Sequence, residues 1–225
     1  MPGGKRDGMT PSDGFTGVSE TENTIGQGAV EDLTPTINNP TDTKISTAER
    51  KIIHIFGPPN SGKTTLRRTL AEMHPDYPNF CIDDFRRRCG DGTLRGEAHS
   101  QIAFWDSMTS GGFFECSGAG KFVAMYLADF RYRPQYIVVM DTLADVCISR
   151  IREGKYDGIP FPFSDSDEEL IRTVSRYLSS ELFKSNCEGI PTIYLDTSQS
   201  IAEQAKDVER FAGLNETGGH YSDIQ

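Results

Sequence analysis

The chain has 225 residues and a formal net charge of −10, which suits one domain plus an appendage. No apolar run approaches the roughly 20 residues a membrane-spanning helix needs, and the N-terminus lacks the apolar stretch of a secretory signal. The five cysteines (Cys81, Cys89, Cys116, Cys147, Cys187) are scattered without a C-x-x-C pair, and the four histidines show no ligand spacing. A reduced, cytoplasmic setting without membrane contact or structural zinc is expected.

The charge is unevenly spread. Residues 1–49 carry 3 basic and 8 acidic side chains, residues 50–160 carry 15 and 13, and residues 161–225 carry 5 and 12. Net charge governs solubility and non-specific association, whereas a site can be basic locally. The balance argues against indiscriminate nucleic-acid binding and leaves a specific nucleic-acid partner open.

Residues 1–48 are rich in Gly, Thr, Asp, Asn and Pro with few large apolar side chains. Such a segment cannot bury enough surface to offset its ordering entropy, so a disordered N-terminal arm is expected. From Arg50 strands and helices alternate. Lys51–Phe56 is an apolar strand, and Leu66, Leu70 and Met73 recur at helical spacing over Thr64 to Met73. His74-Pro75-Asp76-Tyr77-Pro78 is a loop, since two prolines do not sit inside a helix. Asn79–Ile82 is a short second strand ending in Asp83-Asp84, and Ala98, Ile102, Trp105 and Met108 mark one face of a helix that Gly111-Gly112 stops.

Phe113–Cys116 is a third strand, followed by a helix over Gly120 to Phe130. Tyr136–Met140 is the fourth strand and Leu143–Glu153 its helix, with a Gly/Pro-rich loop from Gly154 to Ser164 behind it. Asp165-x-x-Glu168 has the form of a capping box for a helix carrying Leu170, Val174, Tyr177 and Leu178. Pro191–Leu195 is a fifth strand, Ile201, Ala205 and Val208 mark a final helix, and residues 215–225 form a flexible tail.

This alternation predicts a parallel sheet covered on both faces. Ligands of such sheets sit outside the carboxyl ends of the strands. The segments expected near a ligand are Gly57–Thr64, Asp83–Arg86, Glu115–Gly118, Asp141–Thr142 and Asp196–Ser198. The aromatic and basic run Phe130–Tyr136 leads into a strand, so it belongs at the opposite edge as a solvated connection. Asp196-Thr197-Ser198 either flanks a bound base or caps the last helix.

The most informative stretch is Gly57-Pro58-Pro59-Asn60-Ser61-Gly62-Lys63-Thr64, which matches G-x-x-x-x-G-K-[ST] between a strand and a helix. Gly57 and Gly62 allow backbone angles that turn successive N–H groups toward an anion. Lys63 is placed to reach β- and γ-phosphates, Thr64 to ligate Mg²⁺, and the helix N-terminus adds partial positive charge. Residues Gly57 through Thr65 are therefore the expected nucleotide-binding set. At the mouth of the second strand, Asp83-Asp84-Phe85-Arg86 places a carboxylate and a cation within one helical turn. A phosphotransferase needs this pair, an acid to take the acceptor's proton and a cation to fix the acceptor. An acidic helix start before solvated arginines explains it equally well.

The phosphate loop, then His74-Pro75 through Asn79-Phe80-Cys81-Ile82-Asp83-Asp84-Phe85-Arg86, resembles the phage-type polynucleotide 5′-hydroxyl kinases among the P-loop kinases. A similar N-x-x-x-D-D-[YF]-R stretch follows the loop there. The resemblance covers residues 51–88 and implies Asp83 as general base and Arg86 as acceptor clamp, with Asp84 as a capping or orienting residue. It also implies an arginine in a lid after the fourth strand's helix. Gly154 stands where that arginine is expected, so Arg152 or Lys155 substitutes, with Arg150 nearby. Cations at a helix C-terminus that complement its dipole account for part of this cluster. Glu115, ending the third strand, either orients Mg²⁺ through water or caps the next helix.

The expected fold is thus a three-layer α/β P-loop NTPase (nucleotide-kinase-like) domain over residues 49–214, with a five-stranded parallel sheet and a lid at about 152–165. The resemblance implies strand order 2-3-1-4-5. The expected reaction is transfer of the ATP γ-phosphoryl, with Mg²⁺, to a nucleic-acid hydroxyl. That acceptor is a 5′ end or a hydroxymethyl group of a modified pyrimidine, the latter as in viral relatives, which would place the protein in a host cytoplasm. Two other readings stay open. One is a kinase of a nucleotide or other small molecule, which the acidic balance favours over any non-enzyme. The other is an NTP-binding regulatory module, which would have no use for the D-x-x-R pair or a basic lid.

Overall fold

The computed structural model describes residues 50–118, 121–128, 133–154 and 167–214. The expected arm and tail, the Asp165 side of the capping box and most of the expected lid lie outside the described residues. Five strands are formed: β1 (Ile52–Phe56), β2 (Asn79–Cys81), β3 (Gly112–Cys116), β4 (Tyr136–Asp141) and β5 (Thr192–Asp196). They make one parallel sheet in the order β2-β3-β1-β4-β5, as the resemblance implies. The register sets Cys81, Glu115, Ile55, Val138 and Ile193 side by side across it. The residues that follow each strand therefore gather along one edge.

Parallel strands covered on both faces read as continuous apolar runs, and alternation within β1 divides the core. Ile53 and Ile55 face α1 (Lys63–Met73) and α8 (Ile201–Ala212), meeting Leu66, Leu70, Ala205 and Val208. Phe56 faces the other side, with Phe104, Phe114, Val123, Val174 and Phe183. These come from α3 (Leu94–Ser107), β3, α4 (Lys121–Ala128), α6 (Asp167–Leu178) and α7 (Glu181–Asn186). Alongside them α2 (Ile82–Cys89) contributes Ile82 and Phe85, and α5 (Ala144–Arg152) packs Cys147 and Ile148 on Ile171 of α6. The expected three layers are present. Among the described residues no helix is long and apolar enough to cross a membrane.

Three local expectations are corrected. The buried face of α3 is Glu97, Ser100, Gln101 and Phe104 rather than one centred on Ile102, which is 51% exposed. The polar residues turn inward because each is satisfied there. Glu97 meets Arg86 and Gln101, and the Ser100 hydroxyl donates to the Gly96 carbonyl. Ile82 belongs to α2 and not to the second strand, so β2 passes directly into a helix whose first turn holds Asp83 and Asp84 and which no side chain caps. The last helix is capped by a box of Ser200 and Glu203, not by Asp196-Thr197-Ser198. Asp196 instead accepts from the Ser198 N–H in a local turn.

His54 is the one polar side chain of β1, and it is fully buried among Phe56, Phe104, Phe114 and Tyr126. Its Nδ1 lies 2.8 Å from the Tyr126 hydroxyl, while Nε2 is buried without a hydrogen-bond partner. Desolvation lowers its pKa from 6.5 to about 3. The folded value lies below the unfolded one, so the unfolded chain takes up the proton first. Stability is fully present above pH 6.5 and falls as pH drops toward 3, by about 1.4 kcal/mol per pH unit for this one proton. His54→Phe is expected to remove that one-proton slope in urea titrations between pH 6.5 and 4.5. An unchanged slope would place the acid sensitivity elsewhere.

Candidate active site

The phosphate loop leaves β1 at Gly57 and enters α1 at Lys63. Its conformation follows from two left-handed residues, Asn60 (φ 61°) and Gly62 (φ 102°). Asparagine tolerates that region better than most side chains, and glycine occupies it without cost. The Ser61 N–H closes a turn on the Pro58 carbonyl at 3.2 Å. Gly57 is required for a different reason than expected, since its φ is not positive. A Cβ there would lie 2.6 Å from Ser61 Oγ and 2.8 Å from Met140 Cβ. The loop is packed down on β4, and only a residue without a side chain fits.

Two residues after β4 hold the loop from outside. The Thr142 hydroxyl donates to the Ser61 carbonyl at 3.1 Å, and Arg150 Nη1 on α5 donates to the Asn60 carbonyl at 2.8 Å. Lys63 Nζ donates to the Pro58 carbonyl at 2.8 Å, folding over the loop's concave side. Asn60 Nδ2 and Ser61 Oγ are buried without a hydrogen-bond partner among the described residues. Unpartnered buried donors in a glycine-bounded turn fit an anion, because each costs free energy until it is satisfied.

Glu115 is almost wholly buried, and both its oxygens are engaged. Oε1 accepts from the Thr64 hydroxyl at 2.7 Å and Oε2 from Arg67 Nε at 3.1 Å. Arg67, buried on α1, also donates through Nη1 to Asn79 Oδ1 at the start of β2. Hydroxyl and carboxylate oxygens are the hard donors a Mg²⁺ site uses. No group of three His, Cys, Asp or Glu able to hold a metal occurs among the described residues. The pair fits an ion that brings most of its own oxygen shell. The helix-capping reading of Glu115 is replaced by these contacts. Neighbouring thiols are inert, since burial pushes Cys116 up to about 12 and Cys81 higher still, where Glu115 adds to the effect.

Asp83 lies two residues beyond Cys81, as Gly57 lies two beyond Ile55 at the same level of the sheet. Its Oδ1 accepts from Arg86 Nη1 at 2.9 Å. Arg86 also makes a bidentate pair with Glu97 of α3, Nε to Oε2 at 2.9 Å and Nη2 to Oε1 at 2.7 Å. Burial opposes the Arg86 charge, but Glu97 and Asp83 overcome it and raise its pKa. Burial alone would raise the Glu97 carboxyl, yet the Arg86 hydrogen bonds and charge, with the Gln101 amide, bring it below its usual value. The Arg86–Glu97 pair is thus held in its charged form, with Asp83 a second carboxylate partner of the guanidinium. Asp84 stands apart, half exposed and paired with Arg87.

Of the two α5 arginines, the structure brings Arg150 to the loop and turns Arg152 away. Arg152 Nη2 lies 2.7 Å from Glu168 of α6, with its side chain 68% exposed. Lys155 lies outside the described residues. Arg172 pairs with Asp145 rather than facing the loop. The sequence places Thr142 near the ligand and Asn79 in the motif without giving either a contact, and it does not single out Glu97. Arg67 carries a signal in standing one helical turn after Thr64 and so on its face of α1.

No family model matches the chain, and no curated protein matches it. Solved structures do match. A shikimate kinase from Acinetobacter baumannii, in complex with shikimate, is 17% identical with a TM-score of 0.56, over 76% of this chain and 97% of that one. A gluconokinase from Sinorhizobium meliloti 1021 is 19% identical with a TM-score of 0.53, over 74% and 94%. A deoxyadenosine kinase from M. mycoides, with dCMP and dCDP bound, is 13% identical with a TM-score of 0.50, over 73% and 99%. These likenesses show that the chain has the P-loop kinase fold. They do not bear out the narrower resemblance to polynucleotide kinases.

Proposed function

We propose that the protein is a Mg²⁺-dependent kinase that transfers the γ-phosphoryl of ATP to a hydroxyl of a small molecule. The observation that carries the reading is the Asp83–Arg86–Glu97 trio on the same sheet edge as the phosphate loop. A regulatory module that binds nucleotide without phosphotransfer has no use for a carboxylate paired with an arginine at that place. The partners of Arg86 also bear on the acceptor. Arg86 is committed to two carboxylates, so a polyanionic strand end gains little attraction there, whereas a compact hydroxyl compound is not repelled. The named structural neighbours act in the same direction, since their acceptors are small molecules or nucleosides by name. The loop-to-Arg86 motif favours a nucleic-acid hydroxyl as the second reading.

In this mechanism the loop amides and Lys63 stabilise charge on the β- and γ-phosphates, with Lys63 exchanging the Pro58 carbonyl for phosphate oxygen. Thr64 donates its proton to Glu115 and so presents oxygen lone pairs outward, where they can serve a metal ion. Mg²⁺ would neutralise developing phosphate charge when bound. Asp83 takes the acceptor's proton. Arg86 holds the Asp83 carboxylate in place and borders the acceptor, while Glu97 fixes Arg86. Arg150 steadies the loop through Asn60, and Arg152 flanks the expected lid.

Incubation with radiolabelled ATP against sugars and polyols, nucleosides, nucleotides, DNA 5′ ends and hydroxymethylated DNA separates the readings. Label on a small molecule is expected; label on DNA alone would establish the second reading, and ATP hydrolysis with label on none would favour a regulatory module. Lys63→Ala is expected to abolish transfer. Asp83→Ala is expected to lower kcat about 10²- to 10⁴-fold, the usual worth of a general base, with ATP affinity retained. Equal loss of affinity and rate would assign Asp83 a structural or metal role instead. Glu97→Gln, which weakens the hold on Arg86, is expected to lower kcat while leaving the KM for ATP unchanged. A rise in that KM alone would contradict the positioning role.

A further inference from the structure

The chain Asn79–Arg67–Glu115–Thr64 is continuous, with Arg67 and Glu115 buried, and its Arg67 and Asn79 links are not used by any step above. It joins β2, the strand that delivers Asp83, to the hydroxyl that faces the metal position. We infer that Arg67 is a positioning residue that keeps Glu115 from taking free Mg²⁺, so that the metal enters only with the nucleotide; this rests on the proposed kinase reading. The argument begins with the carboxylate. Oε1 accepts from Thr64 at 2.7 Å and Oε2 from Arg67 at 3.1 Å, so each oxygen keeps only its remaining lone pair for a metal at about 2.0–2.1 Å, and that metal would stand beside the Arg67 charge.

Charge points the same way. Glu115 supplies one negative charge and Arg67 cancels it, while Lys63 adds a positive charge from the loop. A bare divalent cation therefore meets a carboxylate whose charge is already compensated. Triphosphate brings negative charge of its own, and its oxygens complete the shell that Thr64 alone cannot supply. Through Asn79, Arg67 is also tied to the strand that carries the general base, so the metal side and the acceptor side share one anchor.

Isothermal calorimetry with MgCl₂ and no nucleotide, at matched ionic strength in NaCl, tests the proposal without any turnover. Wild type is expected to show no saturable heat. Arg67→Gln keeps an amide donor for Glu115 but loses the charge, and is expected to bind Mg²⁺ saturably, at least about tenfold more tightly, since a charge this close moves a carboxylate equilibrium by about one to three log units. Arg67→Lys, which retains the charge, is expected to behave as wild type, and adding Glu115→Gln to Arg67→Gln is expected to abolish the binding. No gain in Arg67→Gln overturns the proposal. Should that variant not fold, wild type and Glu115→Gln decide alone. Saturable Mg²⁺ binding present in the first and lost in the second overturns it, and none in either supports it. MgATP titrated into wild type reads the kinase proposal separately, because a protein that takes MgATP and still fails the Arg67→Gln test has lost only this inference.

Discussion

The carboxylate of Glu115 is the constraint on which the rest depends. It sits near the carboxyl end of β3, almost wholly buried, and burying a charge is tolerable only with partners for both oxygens. Thr64 and Arg67, one turn apart on α1, supply them. The first helix is thereby pinned in rotation as well as position, and the loop that precedes it has a fixed end. Its other end is Gly57, pressed against Met140. Between two fixed ends the backbone has little choice, and its left-handed turns at Asn60 and Gly62 follow.

A second, largely buried ion pair does the same on the side of Asp83. Glu97 would turn outward on a free amphipathic helix, but Arg86 draws it in and rotates α3 with it. This rotation places Phe104 against His54, Phe85 and Phe114. One electrostatic contact thus decides which face of a helix enters the core, and the same contact holds the arginine beside Asp83. Packing and site are built by one set of residues.

How far this was legible in the chain differs by feature. The five strands, the loop and its helix were readable because apolar runs ended by glycine and proline encode them locally. Asp83 and Arg86 were readable because they are three apart. Glu97 was not, since its partner is 11 residues away across a turn and a glutamate on a helix ordinarily faces water. The face of α3 was misread for the same reason, because counting apolar positions cannot weigh an ion pair. Gly57 was assigned to backbone freedom when its requirement is space, a contact with Met140 more than 80 positions along the chain. The resemblance points to Arg152 or Lys155, whereas which α5 arginine reaches the loop depends on how that helix is rotated about its axis.

The direct passage from β2 into α2 has a consequence for tolerance to change. Cys81 ends the strand and Ile82 begins the helix, so there is no slack to absorb an added residue. Each position along a helix turns by about 100°. One amino acid inserted at this junction would swing the acidic pair a quarter-turn or more off its bearing while leaving the sheet itself intact. The spacing between hydrophobic strand and acid is therefore a mechanical gear ratio, and drift in length should accumulate elsewhere in the chain, in stretches such as the turn before α3.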